Sequence, residues 1–221
     1  CPYVLGATFT LEISPPQGSP LVVEAKVVHV YSPFTMSSVM KVALNSSSAG
    51  IVLPHEAVLK VYDRRFADGI REERRIEPPT HEREALYAQY LASDNVAQTE
   101  DQVCEQMDQV PEDESDPAEL EEHLVVVLIE AFFQNERTAY SVLSDLQGKY
   151  IPTFYGTSRF LDSSSSGLDT TVPGVLVEFI PGTNLSRIDP TNIDLDAVCS
   201  AAVDVVNAYS DINVLNRDVR L

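Results

Sequence analysis

The segment Glu56-Ala57-Val58-Leu59-Lys60-Val61-Tyr62 (EAVLKVY) is the stretch on which the fold depends. Its apolar residues alternate in the way that predicts a β-strand from Glu56 to Tyr62. Lys60 interrupts the apolar pattern. It must either extend its ammonium group into water, as a lysine on an edge strand does, or meet an acidic partner. The second interpretation makes Lys60 a cation that holds nucleotide phosphates and is oriented by a glutamate.

Four other segments predict strands because they are short, β-branched or aromatic, and bounded by turn residues. These segments are Leu21–Tyr31, Val39–Leu44, Tyr150–Phe160 and Val175–Ile180. The first two lie directly before the Lys60 strand and are joined by short connections. The spacing therefore indicates an antiparallel meander that ends in the Lys60 strand.

Three segments predict helices. The best marked begins with Asp116 as N-cap, Pro117 at the first helical position and Glu119 in a capping box. Apolar residues then recur about every four positions, and Gly148 follows at the expected C-terminus, so the helix is predicted from Pro117 to Gln147. Shorter helices are predicted from the N-cap Thr80 to Leu91 and from Asn192 to Tyr209.

The chain carries a net charge of −19, from 15 basic and 34 acidic residues. Twelve of the acidic residues, and no Lys or Arg, fall between Asp94 and Glu122. Such a balance excludes nucleic acid and anionic membrane as favoured partners, since both reward clustered basic side chains. We interpret Asp94–Glu114 as a solvated linker or insertion, and residues 94–122 as a segment that could dock a basic protein partner.

The three cysteines are widely separated and show no spacing of metal ligands, so a reducing compartment is the simpler expectation. The four histidines lie in four separate predicted elements, and no metal site is expected from them. No apolar run approaches the roughly 20 residues of a membrane-spanning helix. By default, the expected location is cytoplasmic or nuclear.

The order of elements resembles the N-lobe of a protein kinase. Ala57-Val58-Leu59-Lys60 is similar to the Val-Ala-Ile-Lys strand of that family, and Glu136 matches the glutamate of its long helix. Val177-Glu178-Phe179-Ile180 is similar to the hinge, and Asn216-Arg217-Asp218 to the catalytic loop. The amino-acid sequences of Leu59–Phe66 and Leu146–Pro152 are most similar to those of fungal kinase-like proteins.

The resemblance implies an α+β fold: a five-stranded antiparallel sheet with a long helix C, followed by the start of a helical C-lobe. Residues 1–20 would be an N-terminal extension, 21–177 the N-lobe with an acidic insertion at 94–116, and 178–221 the hinge and the start of the C-lobe. ATP and Mg²⁺ are the implied cofactors, and a protein Ser/Thr or a small-molecule hydroxyl the implied phosphate acceptor.

The resemblance also implies a role for each site residue. Lys60 would hold the α- and β-phosphates, Glu136 would orient Lys60, and Asp218 would be the catalytic base. The backbone of Glu178, Phe179 and Ile180 would bind adenine, with Val177 as gatekeeper. Glu84 is a competing partner for Lys60. Glu136 is preferred, because its helix runs directly into the following strand.

Three departures from the family pattern favour a second hypothesis. No glycine occurs between Tyr31 and Ser38, where a Gly-rich loop would cover the phosphates. Asn216 stands where the family has His. The Mg²⁺-binding Asn and the Asp-Phe-Gly aspartate would lie beyond Leu221. The alternative to a phosphotransferase is therefore a catalytically silent, pseudokinase-type interaction module with an acidic docking segment.

Overall fold

The computed structural model contains a six-stranded antiparallel β-barrel and five α-helices in the part of the chain that it describes. The described residues are 1–46, 53–111, 117–161, 168–182, 188–189, 193–212 and 214. The strands are β1 (Thr8–Ser14), β2 (Leu21–Tyr31), β3 (Ser38–Ser46), β4 (Glu56–Val61), β5 (Phe154–Phe160) and β6 (Pro173–Glu178). The helices are α1 (Asp68–Arg74), α2 (His81–Leu91), α3 (Glu100–Met107), α4 (Ala118–Val142) and α5 (Leu195–Ser210).

The strands follow the order β1-β2-β3-β4-β6-β5, and β5 pairs with β1 to close the barrel. The closing pair places Leu11 opposite Phe160 and Ser14 opposite Thr157. A sheet of five strands would leave β2 and β5 as unpaired edges, and β1 hydrogen-bonds to both.

The predicted fold class, an open five-stranded sheet of the kinase N-lobe type, is therefore wrong. The error lies in residues 1–20, which were predicted to be an N-terminal extension although they contain β1. In this strand Phe9, Leu11 and Ile13 alternate with exposed or half-exposed residues and are buried in the barrel. The hydrophobic free energy of these side chains is a physical reason for β1 to close the barrel.

The barrel interior is one apolar core. Inward-facing residues of successive strands contribute to it, among them Leu11, Val23, Met40, Leu59 and Leu176, all at most 2% exposed. An aromatic cluster lies in the same core, where Tyr3 and Phe160 stack with ring centroids 6.2 Å apart. The Tyr3 hydroxyl donates a hydrogen bond to Asp63 Oδ2 at 2.7 Å, which ties the N-terminal residues to the segment after β4.

A second apolar core lies between the outer face of the barrel and the helices. Val175 and Val177 on β6, with Tyr62 just after β4, pack against Leu124, Val125 and other apolar residues of α4. Strand β6 is apolar on both faces and is buried between the two cores, whereas β4 buries its inward face and leaves its outward residues partly exposed. The long helix α4 therefore packs over β6, and its Glu136 reaches Lys60 on the neighbouring strand β4.

Several predicted boundaries change. The acidic segment is not merely a solvated linker, since α3 forms within it and buries Val103. The segment Arg64–Arg75, for which no element was predicted, contains a 3-10 turn at Arg64–Phe66 and helix α1. Helix α4 ends at Val142, before the predicted Gln147. No helix of the described residues has the length and apolarity needed to cross a membrane.

Candidate functional site

Lys60 and Glu136 form an ion pair between β4 and α4. The Lys60 Nζ contacts Glu136 Oε2, and the two side chains are 27% and 21% exposed. Lys60 faces α4 because its neighbours Leu59 and Val61 point into the barrel, and side chains alternate along a strand. The structure thus brings together two residues that are 76 positions apart in the chain.

Lys60 is not on an edge strand, so the first interpretation of this residue is wrong. Strand β4 lies inside the sheet, with β3 on one side and β6 on the other, and Lys60 is opposite Val39 and Val175. Its ammonium group contacts the Glu136 carboxylate on α4. An acidic partner is the expected solution for a cation in this position.

Tyr62 adds a second hydrogen bond to the same carboxylate oxygen. It is two residues beyond Lys60, on the same outward side, and its hydroxyl donates to Glu136 Oε2. The ring is 4% exposed and packs edge-on against Phe133 of α4, with centroids 5.5 Å apart. Burial first, and then the charge of Glu136, raise the pKa of Tyr62 well above its ordinary value, so the hydroxyl stays protonated.

A buried carboxylate near the start of α4 holds the helix in place. Glu122 is fully buried and accepts two hydrogen bonds from Arg71, at 2.9 and 2.7 Å. Arg64 and Arg83 donate to it as well, at 2.7 and 3.0 Å. The three arginines come from three separate segments: the 3-10 turn after β4, α1 and α2. Because α4 also carries Glu136, this cluster contributes to fixing the helix over β4.

Glu84, the competing partner for Lys60, belongs to this cluster instead. Its Oε2 accepts a hydrogen bond from Arg64 Nη2, and its helix α2 packs against α4. The same arginine stacks over the ring of Tyr87, 4.6 Å from the centroid. Among the described residues, Glu136 is therefore the carboxylate that the structure pairs with Lys60.

The Glu122 cluster predicts a loss of stability in acid. Burial opposes ionisation of Glu122, but the hydrogen bonds from Arg71 and Arg83 and the charge of Arg64 outweigh it and lower the pKa of this carboxyl. A lowered folded-state pKa gives stability that is present above the unfolded value of about 4.3 and is lost as pH falls through the folded value. Urea unfolding at several pH values should show a smaller acid loss in Glu122→Gln than in wild type. Equal losses would contradict this assignment.

The segment predicted to be the hinge lies at the end of β6. Val177 is buried in the second core, opposite Val58 on β4. Glu178 is bound to Thr153: its N–H donates to the Thr153 carbonyl at 2.8 Å, and its carboxylate accepts from the Thr153 N–H and hydroxyl. These bonds, the N–H first, lower the pKa of Glu178. Phe179 lies under Lys41, and Ile180 is exposed.

The turn between β2 and β3, where a phosphate-binding loop was considered, is packed against the protein. Phe34 contacts the barrel core, with its ring 6.5 Å from that of Tyr3. The N–H of Gly69 in α1 donates to the Thr35 carbonyl at 2.9 Å. A side chain at Gly69 would meet Thr35 at 3.1 Å, so the turn and α1 are in close contact. This turn does not cover an open cleft in the way that a Gly-rich loop does.

Cavities beside α4 do not coincide with the Lys60–Glu136 pair. Three of them, with volumes of about 420, 500 and 630 Å³, are lined by residues of α4 but by neither Lys60 nor Glu136. The Lys60 side chain is 27% exposed, so a ligand can approach its ammonium group from the protein surface. With three donor hydrogens, that group can bond Glu136 and an anionic oxygen at the same time.

The remaining predicted site residue, Asp218, lies outside the described residues, as does all of Asn216–Leu221. Within the described residues no three or more His, Cys, Asp or Glu side chains are grouped to hold a metal ion.

Two features of the site were missed from the sequence. The spacing of two residues between Lys60 and Tyr62 could have placed both side chains on one face of the strand. Glu122 had no comparable signal, because it lies in an acidic run and its three arginine partners are distant in the chain.

No family model, curated protein or solved structure matches this chain.

Proposed function

We propose that this chain binds a nucleotide through Lys60, in the manner of the protein-kinase-like phosphotransferases that its sequence resembles. The single observation that carries the proposal is the contact of Lys60 on β4 with Glu136 on α4. In that family the corresponding strand lysine and helix glutamate must be paired for phosphoryl transfer. Lys60 would hold the α- and β-phosphates of ATP, and Glu136 would keep the ammonium group in position.

The surroundings of Lys60 support this role. The Lys60 side chain is 27% exposed, so an anion can approach it, while its backbone is held in a strand between two others. The Lys60–Glu136 ion pair would add little to the stability of the fold, because partly exposed ion pairs contribute about 0–1 kcal/mol. A phosphate group, by contrast, would gain a cation that is already oriented.

Adenine would be bound by the backbone at the end of β6. Because the Glu178 N–H is already donated to Thr153, Phe179 and Ile180 are the residues that we assign to adenine contacts. In an intact enzyme Asp218 would accept the proton of the acceptor hydroxyl, on a protein Ser/Thr or a small molecule. When bound, Mg²⁺ would supply positive charge that neutralises the phosphates, but the described residues offer no group of three or more His, Cys, Asp or Glu side chains to hold it.

The second candidate is a catalytically silent interaction module. The observation that favours it is the packed β2–β3 turn, which leaves no glycine-rich backbone over the phosphates. A basic protein could then dock on the acidic segment. In that segment Asp101, Glu105 and Asp108 are exposed, whereas Glu100 and Glu121 are paired with Arg74 and Arg83.

Nucleotide titration of the purified protein tests the first candidate. We expect Lys60→Met to weaken ADP or Mg·ATP binding by about tenfold or more, or roughly 1.4 kcal/mol, since it removes the charged phosphate contact. The matched control is Lys26→Met, which removes the same charge from an exposed position on β2 and should change the dissociation constant less than about twofold. Calorimetry measures both.

Two results would contradict nucleotide binding at Lys60. One is equal affinity of the wild-type and Lys60→Met proteins. The other is no binding by wild type at millimolar nucleotide, which would favour the silent module.

A further inference from the structure

Lys60, Glu136 and Tyr62 meet at one oxygen atom. Both the ammonium group of Lys60 and the hydroxyl of Tyr62 contact Oε2 of Glu136. Lys60 and Tyr62 come from the same segment, two residues apart, so the strand presents two donors to a single carboxylate on α4. A carboxylate oxygen can accept both bonds, because it has two lone pairs.

Tyr62 is better fixed than either of its partners. It is nearly fully buried, its ring lies against Phe133 of α4, and its backbone N–H donates to the Pro173 carbonyl at 2.9 Å. Phe133 is three residues before Glu136 on the same helix, so it lies on the same face. Lys60, in contrast, is a flexible side chain with a partly exposed end.

We infer that Tyr62 is a positioning residue: its hydroxyl holds the carboxylate of Glu136 so that Lys60 remains oriented when its ammonium group turns to a phosphate. This inference rests on the proposed function. A bound phosphate would share the three donors of Lys60 with Glu136 and so loosen the ion pair. Without a second donor, the Glu136 side chain could change rotamer and leave Lys60 without its partner. Tyr62 removes that freedom, because its own position does not depend on the ligand.

Other groups near the carboxylate do not offer the same contact. Tyr140 lies one turn further along α4, and its ring stacks on Phe154 at 5.0 Å. Burial first, and then the charge of Glu136, raise the pKa of Tyr140 well above its ordinary value, so its hydroxyl stays protonated. Tyr140→Phe is therefore a matched control, since it removes a half-buried hydroxyl near the site but no hydrogen bond to Glu136 within the described structure.

The test measures ADP affinity in Tyr62→Phe, Glu136→Gln and the double variant. We expect Tyr62→Phe to weaken binding about five- to tenfold, because a hydrogen bond to a charged group is stronger than a neutral one. Tyr140→Phe should have less than about a twofold effect. On the Glu136→Gln background, Tyr62→Phe should add less than about twofold, because Tyr62 acts through Glu136. A merely structural tyrosine would weaken binding equally on both backgrounds, and that result would overturn the inference.

A second measurement needs no ligand. The chain has only four lysines, so the side-chain ammonium signals can be resolved by NMR and the Lys60 signal assigned with Lys60→Met. We expect Tyr62→Phe to shift the Lys60 signal and to speed its proton exchange with water, and Tyr140→Phe to leave it unchanged. An unchanged Lys60 signal in Tyr62→Phe would refute the positioning role.

The two proposals fail in different ways. If Lys60→Met and Glu136→Gln both leave ADP affinity unchanged, the proposed nucleotide site is wrong, and the NMR result alone decides whether Tyr62 positions Glu136. If both variants weaken binding and Tyr62→Phe does not, the nucleotide site stands and the role of Tyr62 is refuted.

Discussion

Glu122→Gln is expected to lower the free energy of unfolding by about 3–5 kcal/mol, the range for breaking a buried ion pair from one side. Glutamine has nearly the same shape but no charge, so the variant leaves the guanidinium groups of Arg64, Arg71 and Arg83 around a neutral amide. Arg71 is affected most, because it is 4% exposed and Glu122 is the carboxylate to which it donates two bonds. Urea denaturation followed by circular dichroism measures the change.

Two further variants make this expectation specific. Glu121→Gln removes the neighbouring carboxylate, which pairs with Arg83 alone at 2.7 Å and is partly exposed, so it should cost less than about 1 kcal/mol. Combining Glu122→Gln with Arg71→Met should restore part of the lost stability, because it removes a buried charge that has no carboxylate. If Glu121→Gln and Glu122→Gln had the same effect, the arginine cluster would not be what holds α4.

The elements that were predicted correctly are those with local signals. Helix α4 begins at Ala118, one residue after the predicted start; Pro117 is its N-cap, without a side-chain hydrogen bond, and the predicted N-cap Asp116 lies outside the described residues. Helix α2 also begins where Thr80 marks its N-cap: the Thr80 hydroxyl accepts from the Arg83 N–H at 3.2 Å. Strand β4 follows from its alternation. Each of these signals involves only a few neighbouring residues, so it can be recognised without knowing the tertiary structure.

Barrel closure could not be predicted in the same way. The alternation of Phe9, Leu11 and Ile13 predicts a strand but not its partners, and β1 pairs with residues about 147 positions later, as Glu12 and Arg159 do. Which strands pair with each other depends on the packing of the whole core. Likewise, the charge of the acidic segment hid α3, where the single buried residue Val103 and the N-cap Thr99 were the available signals.

The site was predicted in part. Lys60 and Glu136 were predicted as partners from the resemblance to the protein-kinase N-lobe, and the structure places them in contact. The function of the pair is the proposal stated above. Tyr62 and Glu122 were missed for different reasons. Tyr62 was treated as one more apolar strand residue, although its hydroxyl needs a partner when buried. Glu122 was counted in the acidic docking segment 94–122, because its burial depends on arginines that are distant in the chain.

Gly156→Ala is the second large effect, and we expect it to destabilise the barrel by about 3 kcal/mol or more. Gly156 has a φ of +140°, a conformation that residues with a Cβ rarely adopt. It lies at the irregularity of the β5–β6 pairing, beside the seam where β5 meets β1. A Cβ there would lie 2.7 Å from the Ser14 carbonyl carbon and 2.8 Å from the Cα of Pro15, and closer still to the Ser14 oxygen. These atoms are backbone, so they cannot move aside cheaply.

Gly6→Ala separates the two causes of the Gly156 effect. Gly6 also has a positive φ, +84°, but a Cβ there would meet no atom of the described structure within 4 Å. It should therefore show only the conformational cost of about 1 kcal/mol. The difference between the two variants, measured by urea denaturation, reports the contact between β5 and β1. Hydrogen exchange should localise it, since in Gly156→Ala the amides of the β1–β5 pair should lose protection before those of β3 and β4. Equal stabilities of Gly156→Ala and Gly6→Ala would mean that β1 does not close the barrel against β5, because only closure brings the Ser14 backbone so near to Gly156.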